Sequence, residues 1–86
     1  MTKLWAKKIL DNRTVESYTL ITDEKYNASE FFEYLGQIGT AMDIPVPLVL
    51  KKHIKHLVLY NRVKFINSDF VEEVDFDSLI IENISD

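Results

Sequence analysis

Both prolines of this 86-residue chain stand close together near its middle, at positions 45 and 47. No other feature limits the fold as much. Proline lacks an amide hydrogen, clashes with the preceding helical turn and pushes the residue before it toward extended geometry. A helix arriving at Ile44 therefore ends there, and Ile44-Pro45-Val46-Pro47 reads as a short rigid connection. Pro47 suits the first turn of a second helix, where a missing donor costs little.

Upstream of that break lies the clearest helical pattern. Asn27 is a capping residue with Glu30 three positions on, as in a capping box, and Tyr26 and Phe31 occupy the two positions of a hydrophobic staple. Phe31, Phe32, Leu35, Ile38 and Met42 recur at helical spacing, with Glu30, Glu33, Gln37 and Asp43 off that stripe. Gly36 and Gly39 each lower helix propensity by about 1 kcal/mol relative to Ala. They suit close approach of another backbone. Before this helix, Lys3 to Leu10 and Thr14 to Thr22 read as two strands joined through Asp11-Asn12-Arg13, because Asp and Asn tolerate the positive φ of hairpin turns. An Asp11-Asn12 loop sets Lys7 opposite Glu16 and Trp5 opposite Tyr18. An Asn12-Arg13 loop sets Leu10 opposite Val15 and Leu4 opposite Ile21. The first is preferred for its cross-strand pairs. Neither register cleanly separates an apolar face from a polar one.

Downstream, Leu50, Ile54, Leu57, Val58 and Asn61 lie along one helical face, with Lys51, Lys52 and Lys55 on the other. Leu57, Leu59, Val63 and Phe65 also alternate, so the pattern predicts a helix ending near Asn61 and a short strand over 62–66. Asn67-Ser68-Asp69 reads as a turn. Phe70 to Val74 is apolar and acidic, and Leu79-Ile80-Ile81 is a β-prone run.

The elements predict a single α+β domain over 1–86: a small antiparallel sheet of an N-terminal β-hairpin plus a C-terminal strand or hairpin, with two helices packed on one face. The expected core is Leu4, Ile9, Leu20, Phe31, Leu35, Ile38, Met42, Leu50, Ile54, Leu57, Phe65, Phe76 and Ile80. Apolar residues are 47% of the chain and the net charge is only -4, which excludes a disordered chain. Apolar runs are far shorter than the roughly 20 residues needed to span a bilayer. Lys7 and Lys8 interrupt any apolar stretch after Met1, so no secretory signal is expected. With no cysteine, the expectation is a cytoplasmic protein without membrane contact. Abundant Ile, Asn and Lys with scarce Ala, Gly and Pro point to an AT-rich bacterial or phage genome.

The net charge is an average over unlike blocks. Residues 1–22 sum to +2, 23–43 to -4, 44–68 to +5 and 69–86 to -7. The basic block offers Lys51, Lys52, His53, Lys55, His56, Arg62 and Lys64 as candidate contacts to a partner or to phosphate. On a helix face such lysines neutralise a nucleic-acid backbone and release counterions. Equally they form an ordinary solvated face, with their stems covering the core edge, or are masked by the acidic segment that follows. An acidic pI of 5.1 counts against a general nucleic-acid binder.

Catalytic signatures are missing from the sequence. His53 and His56 stand i, i+3, and Glu72, Glu73 or Asp75 would have to supply a third metal ligand, but no HExxH or cysteine pair supports a zinc site. Gly36-Gln37-Ile38-Gly39 sits inside a helix and forms no phosphate loop. No serine has a nucleophile-elbow context. No catalytic, cofactor or metal residue is assigned, and no cofactor is expected. The sequence favours a small non-enzymatic protein-interaction module, self-associating as a homodimer or binding another protein, with Phe70 to Phe76 as the adhesive segment, unless Phe70 and Phe76 instead anchor a loop across the core. Nucleic-acid binding through 51–64 is the alternative.

Overall fold

A computed structural model describes residues 1–85. Strand β1 (Thr2–Leu10) turns into β2 (Arg13–Thr22), and a single 3-10 turn at Ala28–Glu30 leads into helix α1 (Phe31–Met42). After the proline-containing connection come α2 (Lys51–Tyr60), β3 (Arg62–Ile66), a 3-10 turn at Asn67–Asp69 and β4 (Ser78–Asn83). The sheet order is β2-β1-β4-β3, with every neighbouring pair antiparallel. This is the expected α+β architecture. The hairpin and the last two strands form one sheet, and both helices pack on one face.

The hairpin turns through Asp11 and Asn12, at φ 53° and 64°. Two consecutive left-handed residues match the right-handed twist of the strands. The register nevertheless differs from both expected ones. Leu10 pairs with Arg13 and Ile9 with Thr14, but a bulge then shifts the pairing so that Lys8 faces Glu16 and Trp5 faces Thr19. The extra residue, Val15, turns the rest of β2 over by one position. The bulge therefore achieves what neither uniform register could: Leu4, Ala6 and Leu20 share the helix-covered face. Lys8 then reaches Glu16 at 2.8 Å.

Strand β4 is central, and its Leu79, Ile80 and Ile81 are all buried. Leu79 and Ile81 face the helices, whereas Ile80 lies on the other side, between Lys7 of β1 and Lys64 of β3. Strand β3 alternates: Val63 and Phe65 are buried, while Arg62, Lys64 and Ile66 are exposed.

Helix α1 buries Phe31, Tyr34, Leu35, Ile38 and Met42 against the sheet. Asn27 caps the preceding 3-10 turn rather than the helix itself, accepting from the Ser29 amide at 3.0 Å. Tyr26 stacks on Tyr34, with centroids 5.8 Å apart. At the far end Asp43 adopts φ 55°, and the Ile44 amide bonds the Gly39 carbonyl at 3.0 Å. A left-handed residue here closes the helix and turns the chain back on it. A Cβ on Gly39 would lie 3.0 Å from the Ile44 carbonyl oxygen, whereas a Cβ on Gly36 would meet nothing within 4 Å. Close backbone approach thus explains Gly39 and not Gly36.

Helix α2 begins at Lys51, not at Pro47. The connection stays extended through Leu50, and the Leu48 amide is taken by the Asp69 carbonyl at 2.8 Å. The helix buries only His53 and Leu57, leaving Leu50 and Ile54 exposed, contrary to expectation. Ile9 is only partly buried. The other expected core residues are buried. Phe70 and Phe76 are buried as well, packed edge to face at 5.4 Å, so they anchor the loop before β4 rather than present it to a partner. The loop is tied down by the Asn67 amide to the Asp77 carbonyl and by the Asp77 amide to the Ile9 carbonyl.

Candidate interaction surfaces

The basic block from 51 to 64 does not form one surface. Lys51, Lys52, Lys55 and His56 are exposed on α2, on the helix side of the sheet. Arg62 and Lys64 alternate with buried Val63 and Phe65, so they point to the opposite, uncovered side. His53 belongs to neither group.

His53 is 2% exposed and fills the space between α2 and Phe65, with ring centroids 4.5 Å apart. Its Nδ1 accepts the Leu50 amide at 2.8 Å, which occupies a donor that the helix start would otherwise leave free. A backbone amide only donates, so the ring proton resides on Nε2, which faces Asp69 Oδ2 at 3.3 Å. The same carboxylate oxygen accepts the Ile66 amide at 3.0 Å. Both ring nitrogens are thus engaged inside the protein. His53 is a core residue, not a surface contact for phosphate or partner. His56 is directed outward beside Tyr60, 5.9 Å between centroids, so the two histidines do not converge. No group of three or more His, Cys, Asp or Glu suited to a metal ion occurs among the described residues.

The rest of α2 forms three exposed ridges at i, i+4 spacing. Leu50, Ile54 and Val58 form one flank, Lys51, Lys55 and Leu59 the crown, and Lys52, His56 and Tyr60 the other flank. Val58 is 64% and Tyr60 68% exposed. With Val46, Leu48, Leu50, Ile54 and Leu59, seven large apolar residues between positions 46 and 60 stand in solvent. Among the described residues, Lys51, Lys52 and Lys55 pair with no carboxylate.

The acidic segment does not mask these lysines. Glu73 and Asp75 line a hollow with Met42, Asp43 and Pro45, and Asp77 accepts the Asp11 amide at the hairpin turn. Among the described residues, the acidic block meets the basic one at Asp69, beside buried His53, and at Glu82, which lies 3.7 Å from Arg62 Nε and also 3.7 Å from Lys7 Nζ of β1.

The uncovered sheet face is the surface that linear reading missed. Register places Lys3, Trp5 and Lys7 of β1 on it, beside Ile80 and Glu82 of β4 and Arg62 and Lys64 of β3. The two groups of cations are about sixty positions apart in the chain. The alternation of Lys3, Trp5 and Lys7 with Leu4 and Ala6 is the sequence signal that carries this face.

No helix among the described residues is long and apolar enough to cross a membrane. No protein-family model matches this chain, and neither a curated protein nor a solved structure is similar to it.

Proposed function

We propose that this protein is a non-enzymatic protein-interaction module that docks a partner on the α2 face. One observation carries the reading: the seven exposed apolar residues between Val46 and Tyr60, interleaved with three lysines that have no carboxylate partner among the described residues. Scattered apolar residues on a surface mean little, but Leu50, Ile54 and Val58 follow one another at i, i+4 spacing along one flank, with Leu59 on the adjoining crown. The i, i+4 ridges are the geometry that packs against another helix. The charges define the partner. Helix α2 carries Lys51, Lys52 and Lys55 and no acid, so the complementary surface is apolar and acidic. A second copy presenting the same α2 face would set lysine crown against lysine crown, which disfavours a symmetric α2 homodimer.

The test is a photo-reactive residue at Val58 in the full chain, expressed in its native cells, with Val71 as an exposed control. The expected result is a discrete adduct with a different protein at 58, missing at 71 and lost in Lys51→Glu plus Lys55→Glu. An adduct of twice the monomer mass would instead establish self-association through α2. No adduct at 58, or the same adducts at both positions, overturns the reading.

A further inference from the structure

We infer that the uncovered face of the sheet is a binding site for single-stranded nucleic acid, separate from the α2 face and independent of the reading above. The fold builds it from two distant segments. Because β4 lies between β1 and β3, Lys7, Ile80 and Lys64 form one row across the sheet, and Trp5, Glu82 and Arg62 form the next. Neighbouring strands are roughly 4.8 Å apart, so cations flank β4 at about 10 Å from each other. Lys3 extends the basic edge along β1.

Three observations specify the ligand. The face carries four cations and a single acid, Glu82, which Lys7 and Arg62 already neutralise at 3.7 Å each. Lys3 and Lys64 have no carboxylate partner among the described residues. The overall charge of -4 therefore does not govern this side: Asp43, Glu73 and Asp75 line a hollow with Lys8, which belongs to the helix-covered face. A polyanion is the complementary partner.

The second observation is Trp5, the one tryptophan of the chain, 36% exposed amid these cations. Its ring holds the Lys7 ammonium 4.2 Å from the centroid. A nucleobase stacking there takes over the ring and frees Lys7 for a phosphate, while Glu82 keeps Arg62. An acidic protein segment would use the cations but gain nothing particular from the indole.

The third is shape. Side chains on an open antiparallel sheet lie nearly in one plane, and no helix or ribbon projects from it to enter a duplex groove. Stacking on Trp5 requires an unpaired base. A flat basic face with an aromatic platform fits a single strand. Ile80, paired with Lys7 and Lys64 on this side, is 8% exposed.

The experiment measures fluorescence anisotropy of labelled, mixed-sequence single-stranded RNA and DNA oligonucleotides with the full chain. Intrinsic tryptophan emission is followed in parallel. Saturable binding at low salt with quenching of Trp5 is expected. Three phosphate contacts, from Lys3, Lys7 and Lys64, give a log-log salt slope of about -2, from roughly -0.7 per contact on a single strand. Lys7→Gln plus Lys64→Gln weakens binding at least about tenfold, and Trp5→Leu does so by about tenfold. Trp5→Phe retains part of the affinity. Lys51→Glu plus Lys55→Glu leaves it unchanged, which separates this site from the α2 face. Circular dichroism of each variant confirms the fold. No binding of either nucleic acid at low salt overturns the proposal. So does equal affinity for polyglutamate, which would mark an acidic-protein site, and so does loss of binding in the α2 variant but not in the sheet variants.

Discussion

The Asp69 carboxylate reaches the His53 ring 3.3 Å away, and both side chains lie inside the protein between α2 and the turn that follows β3. The contact joins residues sixteen positions apart and lets a polar ring occupy a core position. Three bonds meet there, since Oδ2 of Asp69 also takes the Ile66 amide and His53 Nδ1 takes the Leu50 amide.

Removing the acceptor strands its donors. Asp69→Ala leaves buried His53 Nε2 and the part-buried Ile66 amide without this acceptor, at about 1–3 kcal/mol for the buried ring and less for the amide. Asp69→Asn keeps a carbonyl oxygen for both and costs less than half as much. Urea unfolding monitored by circular dichroism separates the two. Equal destabilisation by both variants would contradict this account.

The glycines of α1 give opposite outcomes. Gly36→Ala enters open space and stabilises the protein by up to about 1 kcal/mol through helix propensity. Gly39→Ala drives a methyl to 3.0 Å from a backbone oxygen that is itself fixed by the return of the chain at Asp43, so it destabilises. Thermal melts of the two variants should shift in opposite directions.

Asn12 tests the turn. At φ 64° a β-branched residue is strained, and Asn12→Val should cost about 1–2 kcal/mol. Asn12→Gly yields an Asp-Gly turn, the best sequence for this geometry, and should be neutral or mildly stabilising. Matched denaturation midpoints for the Val variant and the wild type would refute the assigned turn.

Alkaline titration should single out Tyr26. Burial, and secondarily the nearby Tyr34, raise its phenol above the ordinary 10.0. The folded state then holds the proton more tightly than the unfolded chain. The associated stability is complete below the ordinary tyrosine value and is lost as pH rises through the raised one. Phenolate absorbance should show a late-ionising component that disappears in Tyr26→Phe, and that variant should lose less stability at high pH than the wild type.

Particular residues show what the sequence could and could not reveal. Asp11-Asn12 identified the hairpin loop because positive φ is a local demand. The bulge at Val15 was invisible, because it answers a long-range need to align Leu20 with Leu4 and Ala6. The end of α2 and the start of β3 were legible around Asn61, whose φ of 53° separates them in one residue. The phase of α2 was not. Hydropathy assigned Leu50 and Ile54 to the core and His53 to the surface. The decisive partner of His53, Asp69, lies beyond β3. Phe70 and Phe76 could be read either as adhesive or as anchors of a loop, because their contact with each other requires the loop to close. The candidate site was half legible: Lys51, Lys52, Lys55 and His56 are surface residues as expected, but Arg62 and Lys64 join Lys3 and Lys7 only through strand order.

That strand order also carries a kinetic consequence. The N-terminal hairpin and β3 have no direct pairing, and each hydrogen-bonds to β4. The strand that joins them is the last of the six main elements to be synthesised. During translation the hairpin, both helices and β3 leave the ribosome with their sheet edges unpaired. The long-range contacts that define the core form only once residues up to Asn83 have emerged. The decisive step of folding therefore waits for β4, and a ribosome stalled before Ser78 would hold an open, aggregation-prone chain rather than a partial domain.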